Sequence, residues 1–214
     1  MIKKYSLDDL KQIEEAVRKA ESTTSGEIVP VIYDKCSNTF FVFPLLFLLF
    51  FILFHLIQEL YFSVNYWEGN VLLQLGLVPL LAGATSIVLS LFPIVQRLLI
   101  PKFVREQRVR EKAELEFYRT GVPNTEGKTG VLIFVSLMER FSVVLADKAI
   151  SEKLPPSTWS EVLKLLNENM SARNIAGGFG PAIRKCGELL SAHFPKRDGD
   201  VNELSNQVIV RCDQ

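Results

Sequence analysis

Residues 40–62 read FFVFPLLFLLFFILFHLIQELYF, and residues 71–96 read VLLQLGLVPLLAGATSIVLSLFPIVQ. The first run carries no charge before Glu59, and the second meets its first charge only at Arg97. A bilayer core takes about 20 apolar residues of helix, so each run is long enough to cross one. The linking segment SVNYWEGN (63–70) is short and polar, with Tyr66 and Trp67 suited to a membrane–water interface. The pair predicts a two-helix transmembrane hairpin, spans at 40–62 and 71–96, inside a region covering 36–100.

The flanks give its orientation. Lys3, Lys4, Lys11, Arg18, Lys19 and Lys35 precede the hairpin, and Arg97, Lys102, Arg105, Arg108, Arg110 and Lys112 come after it, while the linking segment has no Lys or Arg. The positive-inside rule then places both termini in the cytoplasm. Lys102, Arg105, Arg108, Arg110 and Lys112 form a basic cluster beside the second span, suited to anionic lipid headgroups. Within the first span His55 is the titratable group deepest in the apolar run; it reads as a neutral, hydrogen-bonded imidazole without a carboxylate partner nearby.

The composition hides this division. The chain has 214 residues, 24 basic and 24 acidic, with 48% hydrophobic. The 61 residues from Cys36 to Gln96 hold only Glu59 and Glu68, so the other 153 carry 46 of the 48 charges. This excludes a wholly soluble, a disordered and a wholly membrane-buried chain. Zero net charge removes the global electrostatic case for a nucleic-acid partner. Cys36, Cys186 and Cys212 are odd in number and far apart, the pattern of reduced thiols and not of a disulfide scaffold or a zinc site.

The flanking segments, 1–35 and 101–214, read as two parts of one domain. Ser6 with Asp9 forms a capping box, and Leu10, Ile13, Val17 and Ala20 recur at helical spacing. Gly26 is a candidate left-handed helix terminator. Residues 27–33, EIVPVIY, predict a strand, with Pro30 calling for an edge position or a bulge. Residues 102–119 predict a charged helix, 130–136 a strand, and 141–146 its hairpin partner. Trp159, Val162, Leu163, Leu166 and Met170 predict one amphipathic helix, and Phe179, Ala182, Ile183, Cys186 and Leu190 another. Residues 206–211 predict a short closing strand. The fold class is α/β: a small mixed sheet flanked by helices, interrupted by the hairpin after its first strand.

Two near-motifs fail on geometry. Gly121 to Thr129 resembles a phosphate-binding loop, but has one residue too many between its glycines and leads from a helix into a strand. Asp198, Asp200 and Asn202 match the start of a calcium loop that then lacks its glycine and its closing Glu.

If the strands at Glu27 and Gly130 are parallel neighbours, Asp34, Ser136, Glu139 and Arg140 gather at their C-terminal ends, where open α/β sheets bind ligands. Asp147 then lies at the opposite end with Glu27. The candidate metal ligands are Asp34, Glu139 and Asp147, and the candidate phosphate-gripping residue is Arg140.

TTSGEI (23–28), EGKTGVLIFVS (126–136), Glu139-Arg140, LAD (145–147), WSEVLKLL (159–166), GGFGPAIRKCGELLSAHFP (177–195) and Asn202-Glu203-Leu204 occur in this order along nearly the whole chain. In this it resembles the TPM-domain family, in the branch of bacterial membrane proteins with an internal two-helix insertion. The resemblance implies an α/β sandwich and a bacterial inner-membrane location. Some plant thylakoid members are associated with acid phosphatase activity, calcium binding and photosystem repair, and a nematode member is an auxiliary subunit of a receptor channel. Where the better-studied branch is glycine-rich after the third strand, this chain has DKAISEKLPP (147–156).

Two functions remain open at this point. One is a membrane-anchored, non-catalytic adaptor whose partner is another membrane protein or a second copy. The other is a phosphatase-like hydrolase dependent on calcium or another divalent cation.

Overall fold

A computed structural model describes residues 6–65, 71–169, 174–197 and 199–211, with side chains described throughout except at 62–65 and 71–75. Lys3, Lys4, Tyr66, Trp67, Glu68, Met170, Asp198 and Cys212 lie outside the described residues. The chain divides into two compact units, residues 1–36 with 105–214, and residues 37–104.

The first unit is mixed α/β. Helix α1 (Leu7–Glu21) starts at Ser6, whose hydroxyl accepts the Asp9 N–H while the Asp9 carboxylate accepts the Ser6 N–H. Such a cap stabilises a helix by about 1 kcal/mol. Strand β1 (Glu27–Tyr33) comes next. Helix α5 (Lys102–Arg119) leads from the second unit back into the first, followed by strands β2 (Gly130–Ser136) and β3 (Phe141–Ala146), and helices α6 (Lys148–Lys153), α7 (Trp159–Asn169) and α8 (Ala176–His193). Strand β4 (Ile209–Arg211) is last.

The sheet order is β3-β2-β1-β4. β1 and β2 are parallel, with Glu27 opposite Gly130 and Tyr33 opposite Ser136. β3 returns antiparallel to β2, and β4 lies parallel to β1. Both central strands are buried along their whole length, because both faces are covered. Ile28, Ile32, Val131, Ile133 and Val135 pack toward α1, α7 and α8, where Val17, Leu166, Phe179, Ile183 and Leu190 are fully buried. Val29, Val31, Leu132 and Phe134 form the other face with Val109 and Ala113 of α5. The alternation arises from the two-residue period of a strand.

Two expectations need correction. Pro30 is in an inner strand, opposite Ile133, not at an edge. The backbone N–H groups of Ile28 and Asp34 point toward the β4 side, to Glu21 and to the Arg211 carbonyl. Pro30 faces that side too, but β4 pairs only from Val31 onward, so no ladder bond is asked of it. Gly26 is not left-handed either, since the positive-φ glycines are Gly121 and Gly199. It is needed for close approach, because a Cβ there would meet Leu190 Cδ1 at 3.0 Å and the Thr129 carbonyl at 3.3 Å.

The second unit is helical. Helix α2 (Val42–Asn65) packs against α3 (Val71–Ser90), and helix α4 (Pro93–Leu99) comes after them. Val42, Leu46, Val78, Ala82 and Ser86 are buried in this unit, and the Phe47 ring edge lies 3.9 Å from where a Cβ on Gly83 would sit. Phe43, Phe47 and Phe51 stack in a column at four-residue spacing, and His55 meets Phe51 edge-on. His55 is not alone: its Nδ1 lies 3.9 Å from Glu59 Oε1, one turn on. The second apolar run is not one straight helix to residue 96. Gly76–Ser90 and Pro93–Leu99 are bent by 97°, because Pro93 has no N–H to continue α3 and forces Phe92 into an extended conformation.

Candidate functional site

The parallel register brings four of the candidate residues to one end of the sheet. Asp34 lies just past β1, and Ser136 ends β2. The β2–β3 turn carries Glu139 and Arg140, locked to the β1 exit by Leu137 N–H to the Tyr33 carbonyl and Met138 N–H to the Asp34 carbonyl. Glu139 is buried. Its Oε1 accepts the Cys36 N–H at 3.0 Å and its Oε2 accepts the Ser136 hydroxyl in a short bond. This carboxylate therefore ties the end of β1 to the end of β2. Asp34 Oδ1 is buried and unbonded. Arg140 is exposed, in the turn, with its backbone left-handed at φ 52°.

Asp147 sits at the other end. Its N–H donates to the Gly130 carbonyl, and its Oδ1 accepts the Lys148 N–H at 2.6 Å as the N-cap of α6. Asp34, Glu139 and Asp147 are thus not one ligand set, since seven-residue strands separate the first two from the third. Among the described residues no three His, Cys, Asp or Glu side chains are placed to hold a metal ion. Asp34, Glu139 and Asp147, being apart, do not make one site for calcium or another divalent cation.

The basic cluster on α5 is divided in its contacts. Lys102, Arg108, Arg110 and Lys112 are exposed and Arg105 is half-buried. Arg108 pairs with Glu111 at 3.0 Å, and the Arg110 guanidinium lies 5.5 Å from the centre of the Phe141 ring. Cys36 and Cys186 are buried thiols outside any disulfide. Burial pushes the Cys186 thiol up, which leaves it inert as a nucleophile.

Two carboxylate clusters emerge that the sequence reading missed. Glu116 on α5 is fully buried against the β1–β4 side of the sheet. Its Oε1 accepts the Tyr33 hydroxyl at 2.9 Å, and Arg119 and Arg211 approach its oxygens at 3.3 and 3.4 Å. Burial, this hydrogen bond and the carboxylate charge push the Tyr33 phenol up to about 12. Val109, Ala113 and Glu116 recur at helical spacing and form one buried stripe in the structure, so an acid occupies a core position and requires partners.

The second cluster lines a cleft of about 410 Å³ bounded by Arg18, Glu21, Glu27, Lys196, Asp200 and Asn206. Glu21 accepts the Ile28 N–H at 2.8 Å with one oxygen and the Asn206 side-chain amide with the other. Desolvation, and to a smaller extent the neighbouring Glu27, raises its carboxyl to about 7. Glu27 is likewise raised by burial; its Oε1 accepts the Glu203 N–H at 3.1 Å and its Oε2 is buried without a partner. Glu203 in turn accepts the Glu126 N–H. Residues 200–206, within the segment rejected as a calcium loop, thus line the cleft and bond to these two acids. Chemically, the cleft offers two carboxyls of raised proton affinity beside Arg18 and Lys196, each anchored to a backbone amide.

No family model matches the chain, and no curated protein matches it. A solved structure does resemble it: the NMR structure of BA42 protein from the psychrophilic bacteria Bizionia argentinensis sp. nov.. The TM-score is 0.59 at 20% identity, over 97% of this chain and 95% of that one. At this identity the likeness speaks for the fold alone.

Proposed function

We propose that this chain is a membrane-anchored adaptor: a TPM-like α/β domain on the cytoplasmic side of a bacterial inner membrane, held there by a two-helix hairpin and acting on a membrane partner without catalysis. The observation that carries the reading is α2. Its segment Val42–Tyr61 has a mean hydropathy of 2.1, and only 11% of it is buried. The central helix of a soluble core would be mostly buried, whereas Leu48, Leu49, Ile52, Leu56 and Leu60 are all at least half exposed. Such a surface is the expected one for lipid contact. Small residues at Ala82, Gly83 and Ser86 favour close packing of α2 on α3.

The non-catalytic half of the reading is supported by where the acids go. Glu139, Asp147 and Glu116 each serve a strand end, a helix cap or a core ion pair. The hydrolase alternative gains nothing from Asp34, Glu139 and Asp147, which do not converge.

Alkaline carbonate extraction of native membranes tests the anchor: the protein is expected in the pellet, and release into the supernatant rejects the hairpin. Crosslinking in the same membranes tests the adaptor role. A stable adduct with a second copy or another membrane protein is expected, and recovery of monomer alone rejects it.

A further inference from the structure

Helix α3 does not simply stop. It ends in a right-angled corner in which each of its last four carbonyls has a donor. Ser90 Oγ donates to the Ile87 carbonyl at 2.8 Å. Leu91 N–H donates to Val88 and Phe92 N–H to Leu89, at 3.3 and 3.2 Å. The Ser90 carbonyl, left open by the break, is taken by the Gln96 side-chain amide at 2.8 Å. A helix end in water can leave such groups to solvent or close them with i→i+3 bonds and side chains. A helix end at hydrocarbon depth cannot leave them open, because an unbonded carbonyl there costs several kcal/mol.

Beyond the corner lies an apolar face that no described residue covers. Leu91, Phe92, Ile94 and Leu98 are 73%, 52%, 62% and 79% exposed. Ile94 and Leu98 are one turn apart on α4, and Gln96 and Arg97 are more enclosed. Phe103, at the start of α5, is likewise 69% exposed. The charges nearest to it in sequence are Arg97 and Lys102, and the first acid after them is Glu106. Each basic residue near an anionic membrane surface adds about 1 kcal/mol of attraction.

The length of α3 places the corner. Its 20 residues span about 30 Å, the thickness of a hydrocarbon core. A helix turned by 97° at that point runs along the membrane plane.

We infer that α4 is an in-plane helix that beds Ile94 and Leu98 into the boundary between acyl chains and anionic headgroups. The inference rests on the reading that α2 and α3 cross a membrane, and it adds a second, separate lipid contact.

Nitroxide labels test both, separately. Ile52→Cys, Ile94→Cys, Leu98→Cys and an aqueous reference, Lys164→Cys, are made in the full chain carrying Cys36→Ser and Cys212→Ser. Cys186 is fully buried and does not react. The proteins are reconstituted in mixed phosphatidylcholine and phosphatidylglycerol vesicles. The readout is the ratio of collision with oxygen, which favours lipid, to collision with a water-soluble nickel chelate. Labels at 94 and 98 are expected at a ratio several-fold above that of 164 and several-fold below that of 52.

If 52 is deep while 94 and 98 match 164, the inference fails and the membrane reading stands. If 94 and 98 are as deep as 52, or immobilised and shielded from both reagents, α4 is a continued span or a protein-covered face, and the inference again fails. If 52 matches 164, the membrane reading itself fails. In phosphatidylcholine alone the ratio at 98 is expected to fall toward the aqueous value; no change removes the anionic-lipid part.

Discussion

The Glu21 carboxylate accepts the backbone N–H of Ile28 at 2.8 Å, at the point of β1 that β4 does not reach. A side chain from the end of α1 thereby supplies the acceptor that a neighbouring strand would otherwise provide. The same carboxylate holds Asn206, 185 residues away, so one acid joins the first helix, the first strand and the last segment of the domain. Buried donors need acceptors, but burial disfavours the charge that makes Glu21 a good one.

That conflict sets a pH dependence. The Glu21 carboxyl rises from its ordinary 4.5 to about 7 in the folded chain, and Glu27 shifts the same way. The folded chain therefore binds protons that the unfolded chain has released, and stability falls as pH rises from about 4.5 through 7. Glu21→Gln keeps an acceptor for Ile28 and removes the charge. Urea unfolding in detergent micelles is expected to show the wild type losing on the order of 2 kcal/mol between pH 5 and pH 8, after allowance for partial solvent screening. The variant's curve is expected to be flatter. An equal slope in both assigns the dependence elsewhere.

Tyr33→Phe isolates the other buried acid. The substitution keeps the ring that packs 5.0 Å from Phe134 and removes the hydroxyl donated to Glu116. Leaving a buried carboxylate one donor short costs roughly 1–3 kcal/mol, so the stability measured by urea unfolding is expected to drop by that amount. The absorbance of the remaining tyrosines provides a second check. The titration component near pH 12 is expected to disappear with Tyr33.

Given parallel neighbours β1 and β2, the gathering of Asp34, Ser136, Glu139 and Arg140 at one end with Asp147 at the other followed from the sequence; the parallel pairing itself was a condition there and comes from the structure. The strands β2 and β3 were legible as apolar runs broken by LMER at 137–140. The roles of Glu21 and Glu116 were not, because a carboxylate in a helix reads as a solvated surface group until its partners are known. Those partners, Asn206 and Arg211, lie near the other terminus. Pro30 misled because a prolyl nitrogen marks an absent ladder bond without saying whether the neighbouring strand is missing or merely short. Proline at 93 marks a break in the sequence but does not set its angle, so the 97° corner was not legible.

Asp147 separates a cap from a metal ligand. Its side chain caps α6, so Asp147→Ala is expected to cost about 1 kcal/mol. Millimolar calcium is expected to leave the melting temperature of wild type and variant equally unchanged. A wild-type melting temperature that climbs with calcium while the variant's does not would return Asp147 to a ligand role.

Glu139 is the acid on which the exit from β1 depends. It takes the Cys36 N–H and the Ser136 hydroxyl at once, both buried. Glu139→Leu fills similar space but leaves two buried donors without an acceptor, at about 1–3 kcal/mol each. Glu139→Gln retains one acceptor oxygen and is expected to lose about half as much. Amide hydrogen exchange reads the effect locally. Cys36 and Met138, whose N–H groups tie the strand end to the turn, are expected to exchange faster in both variants. Residues of α8 are expected to change only by the loss in global stability. Uniform acceleration across the domain would mean that Glu139 contributes to the whole fold and does not specifically fasten the β1 exit.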